Sequence, residues 1–188
     1  ITTLEKAINI IPLASQTFSK SFQQYVKGSA PLFAGKAKGA KLTDIDGNEY
    51  IDYVSGLLPI ILGYCDPDVD SKIIAQLNKG ITFSIASDLE YQLADQLVNL
   101  IPSAEMVRFG KNGSDVTSAA IRVARAYTGR EMIAVAGYHG WHDWYIGSTT
   151  RDIGVPNVVK SLTTKFSYDD LEGLKKKLKT NLYAAIIL

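Results

Sequence analysis

The chain has 188 residues, 46% hydrophobic and 21% charged, with a formal net charge of +1. That balance excludes a disordered chain and argues against nucleic acid as the main partner, because composition forces no basic face. The single cysteine, Cys65, has no second cysteine to pair with, which points to a reducing, cytoplasmic setting. The start, ITTLEKAINIIPLASQ, lacks a basic leader and a continuous apolar core, and no apolar run nears the ~20 residues of a membrane span. No membrane partner is expected.

Residues 1–30 read as helical and mixed, interrupted at Pro12. Between Gly39 and Val54, two β-prone runs flank Asp46-Gly47, a strong short hairpin signal. Ser55 to Pro67 is punctuated by Gly and Pro yet more apolar than a solvated loop, so it should line a pocket or lie against a partner subunit. Val69, Ile73, Ile74 and Leu77 then keep helical spacing up to a stop at Gly80. Ser87-Asp88-Leu89-Glu90 is a capping-box pattern opening a helix with Leu89, Leu93, Leu97 and Leu100, closed by Pro102.

Met106, Val107 and Phe109 predict a short strand that runs into Gly110-Lys111-Asn112-Gly113-Ser114-Asp115. A helix follows, its apolar stripe formed by Val116, Ala120, Val123 and Tyr127, with its end at Gly129. Glu131 to Tyr138 predicts a buried strand. Ser167 to Asp170 opens a capped helix with Leu171, Leu174 and Leu178 inward and Lys175, Lys176, Lys177 and Lys179 at its solvated C-terminal end. Leu182 to Leu188 predicts a central parallel strand. Helices alternating with apolar strands make an α/β protein with a largely parallel sheet flanked by helices, preceded by a helical and β-hairpin segment. We divide the chain into 1–66, that N-terminal segment, and 67–188, the first and incomplete part of a larger α/β domain. Ending on a wholly apolar strand suggests a longer polypeptide.

The chemistry concentrates between Gly110 and Trp144. Gly113 and Ser114 stand where a helix N-terminus presents unpaired backbone N–H groups, a natural seat for a phosphate, with the Ser114 hydroxyl as a further donor. The loop is not a P-loop, since no Lys-Ser/Thr pair follows the second glycine. Asp115 falls in the first helical turn, where a carboxylate suits the helix dipole. One strand later Tyr138 precedes His139-Gly140, and an aromatic at a strand end can lie flat on a planar ligand. Trp141 and Trp144 are candidates to pack beside it. His139 and His142 lack the cysteine or carboxylate company of a metal centre, so no metal is expected; His139 suits a hydrogen-bonding, orienting role. Arg122, Arg125 and Arg130 read as a solvated helix face, while Arg108 and Arg151 have no assigned role.

Several segments, taken in order, resemble the N-terminal half of the class III, fold-type I pyridoxal-phosphate aminotransferase family, with glutamate-1-semialdehyde 2,1-aminomutase as the nearest activity within it. They are Asp46 to Tyr53, Pro59 to Gly63, Glu105 to Phe109, Asn112 to Asp115, Ala124 to Arg130 and Tyr138-His139-Gly140. The resemblance implies pyridoxal 5'-phosphate as cofactor, with Gly113 and Ser114 at its phosphate, Tyr138 stacked on its ring and His139 beside it. It also implies small-molecule amino donors and acceptors, and a homodimer. Asp115 stands where the family has a glutamate. Leu57 stands where aminomutases carry Trp, and Tyr64 where a His usually follows the Leu-Gly pair, so the aminomutase substrate is the weaker implication. The family's Schiff-base lysine and its ring-nitrogen aspartate match no position here, and no catalytic residue is assigned. These 188 residues alone are expected not to turn over substrate. The rival readings are a non-catalytic, truncated homologue acting as a binding or assembly module, and a nucleotide-binding Rossmann domain, the latter weakened by the absence of a Gly-x-Gly-x-x-Gly motif.

Overall fold

A computed structural model describes residues 2–180 and 182–188. The chain forms two compact units, Ile1–Ala86 and Ser87–Leu188. The sequence division at 66/67 would place the helix after Pro67 with the second unit, whereas here it groups with the first.

In the first unit, helix α1 (Thr3–Ile10) opens on a full capping box between Thr2 and Glu5. Beyond Pro12 only short 3₁₀ turns form, at Pro12–Ala14, Phe18–Lys20 and Phe22–Gln24. Strands β1 (Ala34–Lys38), β2 (Lys41–Asp44) and β3 (Glu49–Ile51) make an antiparallel sheet in that order. The Asp46-Gly47 hairpin joins β2 to β3, with Leu42 opposite Tyr50. The buried Asp44 carboxylate organises the turn, accepting from the side-chain and backbone N–H of Asn48, the Asp46 N–H and the Tyr50 hydroxyl. These bonds, led by that of the Asn48 side chain, hold its pKa below the usual carboxylate value.

The apolar loop after β3 is anchored by Asp52. Its carboxylate accepts from the N–H groups of Val54, Ser55 and Gly56 and, at 2.7 Å, from the Tyr64 hydroxyl. Ser55, Leu57 and Leu58 all adopt positive φ, a conformation non-glycine residues hold only when their surroundings impose it. The loop lines a cavity of about 320 Å³ shared with Gly39 and Ala40, one of the two roles expected of it. Helix α2 (Pro67–Leu77) follows, capped by Asp66, with its apolar residues largely open to solvent.

The second unit begins with α3 (Asp88–Leu100), on which the predicted Ser87–Glu90 capping box is present in full. The strand expected at Met106 to Phe109 is absent. The segment pairs with no strand among the described residues, and Met106 is 91% exposed. Extended apolar sequence becomes a strand only when a neighbour completes its hydrogen bonds. Helix α4 (Gly113–Thr128) then leads to β4 (Met132–Val135), α5 (Asp143–Ile146), α6 (Asn157–Lys160), β5 (Thr163–Lys165), α7 (Leu171–Leu178) and β6 (Tyr183–Ile187).

The sheet is parallel, in the order β5-β4-β6. The apolar run near the chain's end was expected to be central, but β4 is the middle strand of the described sheet and β6 pairs only with it. In this sheet β6 is only half-buried, with Ile186 44% exposed. Ile133, Val135, Ile121 of α4, Trp144 and Tyr145 form the core, with Ala184, Ala185 and Ile187 packed on it. Complete burial of Ile133 contributes about 1.5–3 kcal/mol.

The predicted stripe of α4 faces outward: Val116, Val123 and Tyr127 are exposed, and the buried side runs through Ser114 and Ile121. On α7, Asp170 is the N-cap, Leu174 and Leu178 are half-buried, and Leu171 is exposed rather than inward. No helix among the described residues is long and apolar enough to cross a membrane.

Candidate functional site

The N-terminus of α4 and the loop leaving the C-terminal end of β4 lie against each other. In an open parallel sheet this is the edge at which ligands gather. Asn112 caps the helix, its side-chain oxygen accepting from the Asp115 N–H at 3.1 Å. The cap leaves the N–H groups of Gly113 and Ser114 without an acceptor among the described residues. Gly113 is exposed, and a methyl added there would meet nothing within 4 Å. Two free amide donors, a helix dipole and open space are what an anion needs.

Ser114 is only 7% exposed, because the β4 loop packs directly on it. Gly140, at φ +102, makes this approach possible: a Cβ there would collide with Ser114 Oγ and stand 2.9 Å from Ser114 Cβ. Ser114 Oγ accepts from the Trp141 N–H at 3.3 Å and keeps its own proton to donate. Thr117 Oγ1 donates to the His139 carbonyl at 3.1 Å, and Ser118 Oγ lies 2.7 Å from His142 Nδ1. Ser114, Thr117 and Ser118, spaced i, i+3, i+4, thus form a hydroxyl-bearing face to which the loop is fastened. That face escapes a reading of hydrophobic periodicity, and the S-x-x-T-S pattern behind the glycine is its available signal.

The loop presents Tyr138, a residue 77% exposed. Behind it Tyr145 of α5 meets the ring edge-on, centroids 5.7 Å apart at 86°. Tyr145 is itself buried and donates to the Gly137 carbonyl at 2.9 Å, and burial, with Tyr138 as a lesser influence, raises the pKa of its phenol. Tyr145 attracts no notice in the sequence, yet it is the direct support of Tyr138. His139 is half-buried. Its Nε2 lies 2.7 Å from the Ala136 carbonyl, which can only accept, so that nitrogen carries the proton. The imidazole stacks on Trp144, at 6.3 Å and 28°. Of the two tryptophans, Trp144 is buried in the core and Trp141 is exposed against the His142 ring, so neither flanks Tyr138 as anticipated.

Arg125 and Arg130 act as structural ties, donating to the carbonyls of Glu131 and Tyr183. Asp115 stands 3.9 Å from His142 Nε2. No group of three or more metal-ligating side chains occurs among the described residues. The arrangement offers a two-amide anion seat and, held relative to it by the hydroxyl face of α4, an open aromatic face.

Residues 23–183 match the model of the family "Aminotransferase class-III". The chain is 39% identical over 182 residues to the 3-aminobutyryl-CoA aminotransferase of Cloacimonas acidaminovorans, covering 96% of this chain and 43% of that protein. It is 36% identical to the glutamate-1-semialdehyde 2,1-aminomutase of Geotalea daltonii, covering 94% of this chain and 44% of the relative. The chain therefore spans a little under half the length of the curated relatives it matches. Among solved structures it superimposes on the pyridoxal-phosphate internal aldimine form of the Sphingopyxis sp. MTA144 FumI protein with a TM-score of 0.89 and 31% identity, over 97% of this chain and 44% of that one. An omega-transaminase from Sphaerobacter thermophilus gives a TM-score of 0.85 at 28% identity, over 98% of this chain and 45% of that one. By sequence and by fold, the 188 residues belong to the class III aminotransferases, a fold-type I family whose cofactor is pyridoxal phosphate.

Proposed function

We propose that the protein containing this chain transfers an amino group with pyridoxal 5'-phosphate, and that Gly113, Ser114, Tyr138 and His139 supply the phosphate and ring seats. The observation that carries this reading is the pairing of free Gly113 and Ser114 amides with an exposed Tyr138 face on one fastened loop. The Gly113 and Ser114 N–H groups, at the positive end of the α4 dipole, would donate to the phosphate. The Tyr138 ring, backed edge-on by Tyr145, would offer its open face to the pyridine. His139, anchored to Ala136 and Trp144, holds the backbone between Gly137 and Gly140 and acts beside the ring rather than on it. When bound, the cofactor supplies the electron sink that stabilises charge on the substrate carbon.

Proton transfer at that carbon needs a basic lysine, and by the family resemblance that lysine matches none of these residues. Amino donors and acceptors are small molecules in this reading. Transamination ranks ahead of 2,1-aminomutation because Leu57 and Tyr64 replace the residues expected of aminomutases, and Tyr64 is committed to Asp52 through a 2.7 Å bond. A homodimer accounts for the apolar loop from Leu57 to Leu62, where Leu58, Ile61 and Leu62 lie exposed. The cytoplasmic assignment rests on the lone cysteine.

The test is spectroscopic. Full-length protein titrated with pyridoxal phosphate should gain a visible absorbance band that changes when an amino donor is added and returns with a keto acid or aldehyde acceptor. Saturable cofactor binding that survives Gly113→Ala and Tyr138→Ala without loss of affinity would refute the assigned seats.

A further inference from the structure

One side chain ties the two halves of this site together, and it contacts neither the amides nor the phenol ring. His142 ends the β4 loop, and its imidazole bridges two turns of α4. Nδ1 lies 2.7 Å from Ser118 Oγ, and Nε2 faces the Asp115 carboxylate at 3.9 Å. The Trp144 indole N–H donates to the same Ser118 Oγ at 3.0 Å. An indole nitrogen can only donate, so Ser118 accepts from Trp144 and keeps both a hydroxyl proton and a lone pair with which to meet His142 Nδ1.

Trp144, Ser118 and His142 are thus joined by hydrogen bonds that run from the buried core to the end of the β4 loop. The backbone of the same residue controls the other half. The His142 carbonyl accepts from the N–H groups of Tyr145 and Ile146 at 2.9 Å, which fixes the start of α5. Tyr145 is the ring that meets Tyr138 edge-on. A shift of His142 moves Tyr145, and with it Tyr138, relative to the helix start.

We propose that His142 is a positioning residue that sets the spacing between the Tyr138 ring and the N–H groups of Gly113 and Ser114, and so the affinity for a phosphorylated planar ligand. The inference rests on the cofactor reading given above and adds a residue to it. Asp115 completes the device. Its carboxylate, in the same first helical turn as the two amides, faces the imidazole edge at 3.9 Å, beyond hydrogen-bond reach. The His142–Asp115 pair is about one-third exposed, so its coupling is the weaker link; the Ser118 bond is the stronger.

The experiment compares His142→Ala, His142→Asn and His142→Gln in full-length protein by three measurements. These are the dissociation constant for pyridoxal phosphate, the visible circular dichroism of the bound cofactor, and the thermal midpoint without cofactor. An asparagine amide falls near the position of Nδ1 and can either accept from or donate to Ser118, whereas glutamine reaches Asp115 and loses Ser118. His142→Ala should weaken binding roughly tenfold and reduce the circular dichroism, the loss expected for about one hydrogen bond. His142→Asn should restore affinity to within about threefold, with glutamine closer to alanine. Wild-type affinity and dichroism in His142→Ala would overturn the proposal and leave the cofactor reading standing. Equal weakening in all three variants, in step with a lowered thermal midpoint, would also overturn it by showing a purely structural role. Failure of the unsubstituted protein to bind pyridoxal phosphate would overturn both.

Discussion

Gly140→Ala tests the contact on which the site is built. Glycine stands there at φ +102, where an alanine carries a backbone cost of about 1–3 kcal/mol. The added methyl would also collide with Ser114 Oγ and lie 2.9 Å from Ser114 Cβ and 3.0 Å from Ser114 Cα. Ser114 belongs to a helix held by the core through Ile121 and has little room to give, so overpacking adds about 1–3 kcal/mol. The sum, about 2–6 kcal/mol, is a large share of a stability of about 5–15 kcal/mol. The loop can escape part of this by lifting off α4, which stretches the bond from Trp141 N–H to Ser114 Oγ and carries Tyr138 away from the amides. Urea unfolding and cofactor titration of full-length protein should therefore both report the change, with a lower midpoint and at least tenfold weaker binding. Gly113→Ala is the control. Its methyl points into open space, so stability should stay level or rise by up to about 1 kcal/mol, while the methyl beside the amides weakens phosphate binding. An unchanged unfolding midpoint in Gly140→Ala would refute the close approach, and unchanged cofactor affinity in Gly113→Ala would refute the phosphate seat.

Other outcomes follow from the same geometry. Tyr138→Ala removes an exposed ring, so the unfolding free energy should shift by no more than about 0.5 kcal/mol, while loss of stacking lowers cofactor affinity by about 0.5–1.5 kcal/mol, read by titration. Asn112→Ala removes the α4 cap and should cost about 1 kcal/mol in denaturant unfolding; no change would show that the cap bond to Asp115 carries no weight. The Tyr64 hydroxyl, with smaller help from backbone N–H groups, holds Asp52 below its usual pKa. A carboxyl with a depressed folded pKa contributes stability above its unfolded pKa of about 3.9 and loses it as pH falls through the folded value. Tyr64→Phe should therefore lower the thermal midpoint near neutral pH and flatten its decline below about pH 4; parallel wild-type and variant profiles would count against the pair. The buried Tyr145 phenol has a raised pKa, so its contribution is present below pH ~10 and lost above, and Tyr145→Phe should resist alkaline unfolding better than wild type.

Much of this protein is written in signals that act within a few residues. The Asp46-Gly47 turn, the Ser87–Glu90 capping box, the opening of α4 at Gly113 and the apolar run of β4 each depend on local geometry and chemistry, and each appears where the sequence places it. The candidate site is half legible for the same reason: a glycine before a helix and an aromatic after a strand are local patterns. Their support is not. Ser114, Thr117 and Ser118 are unremarkable hydroxyls until the chain returns to set His139, Trp141 and His142 against them. Tyr145 becomes the backing of Tyr138 only through tertiary packing. The strand expected at Met106 to Phe109 fails, and Ala34–Lys38 forms one instead, because a strand is completed by the partner that pairs with it. Periodicity likewise marks α4 as amphipathic, but contact with Ile133, Trp144 and Tyr145 selects Ile121 as its inward residue. Local chemistry determines where elements begin and what they carry; only long-range packing decides which faces meet, and the distance between Gly113 and Tyr138 is set there.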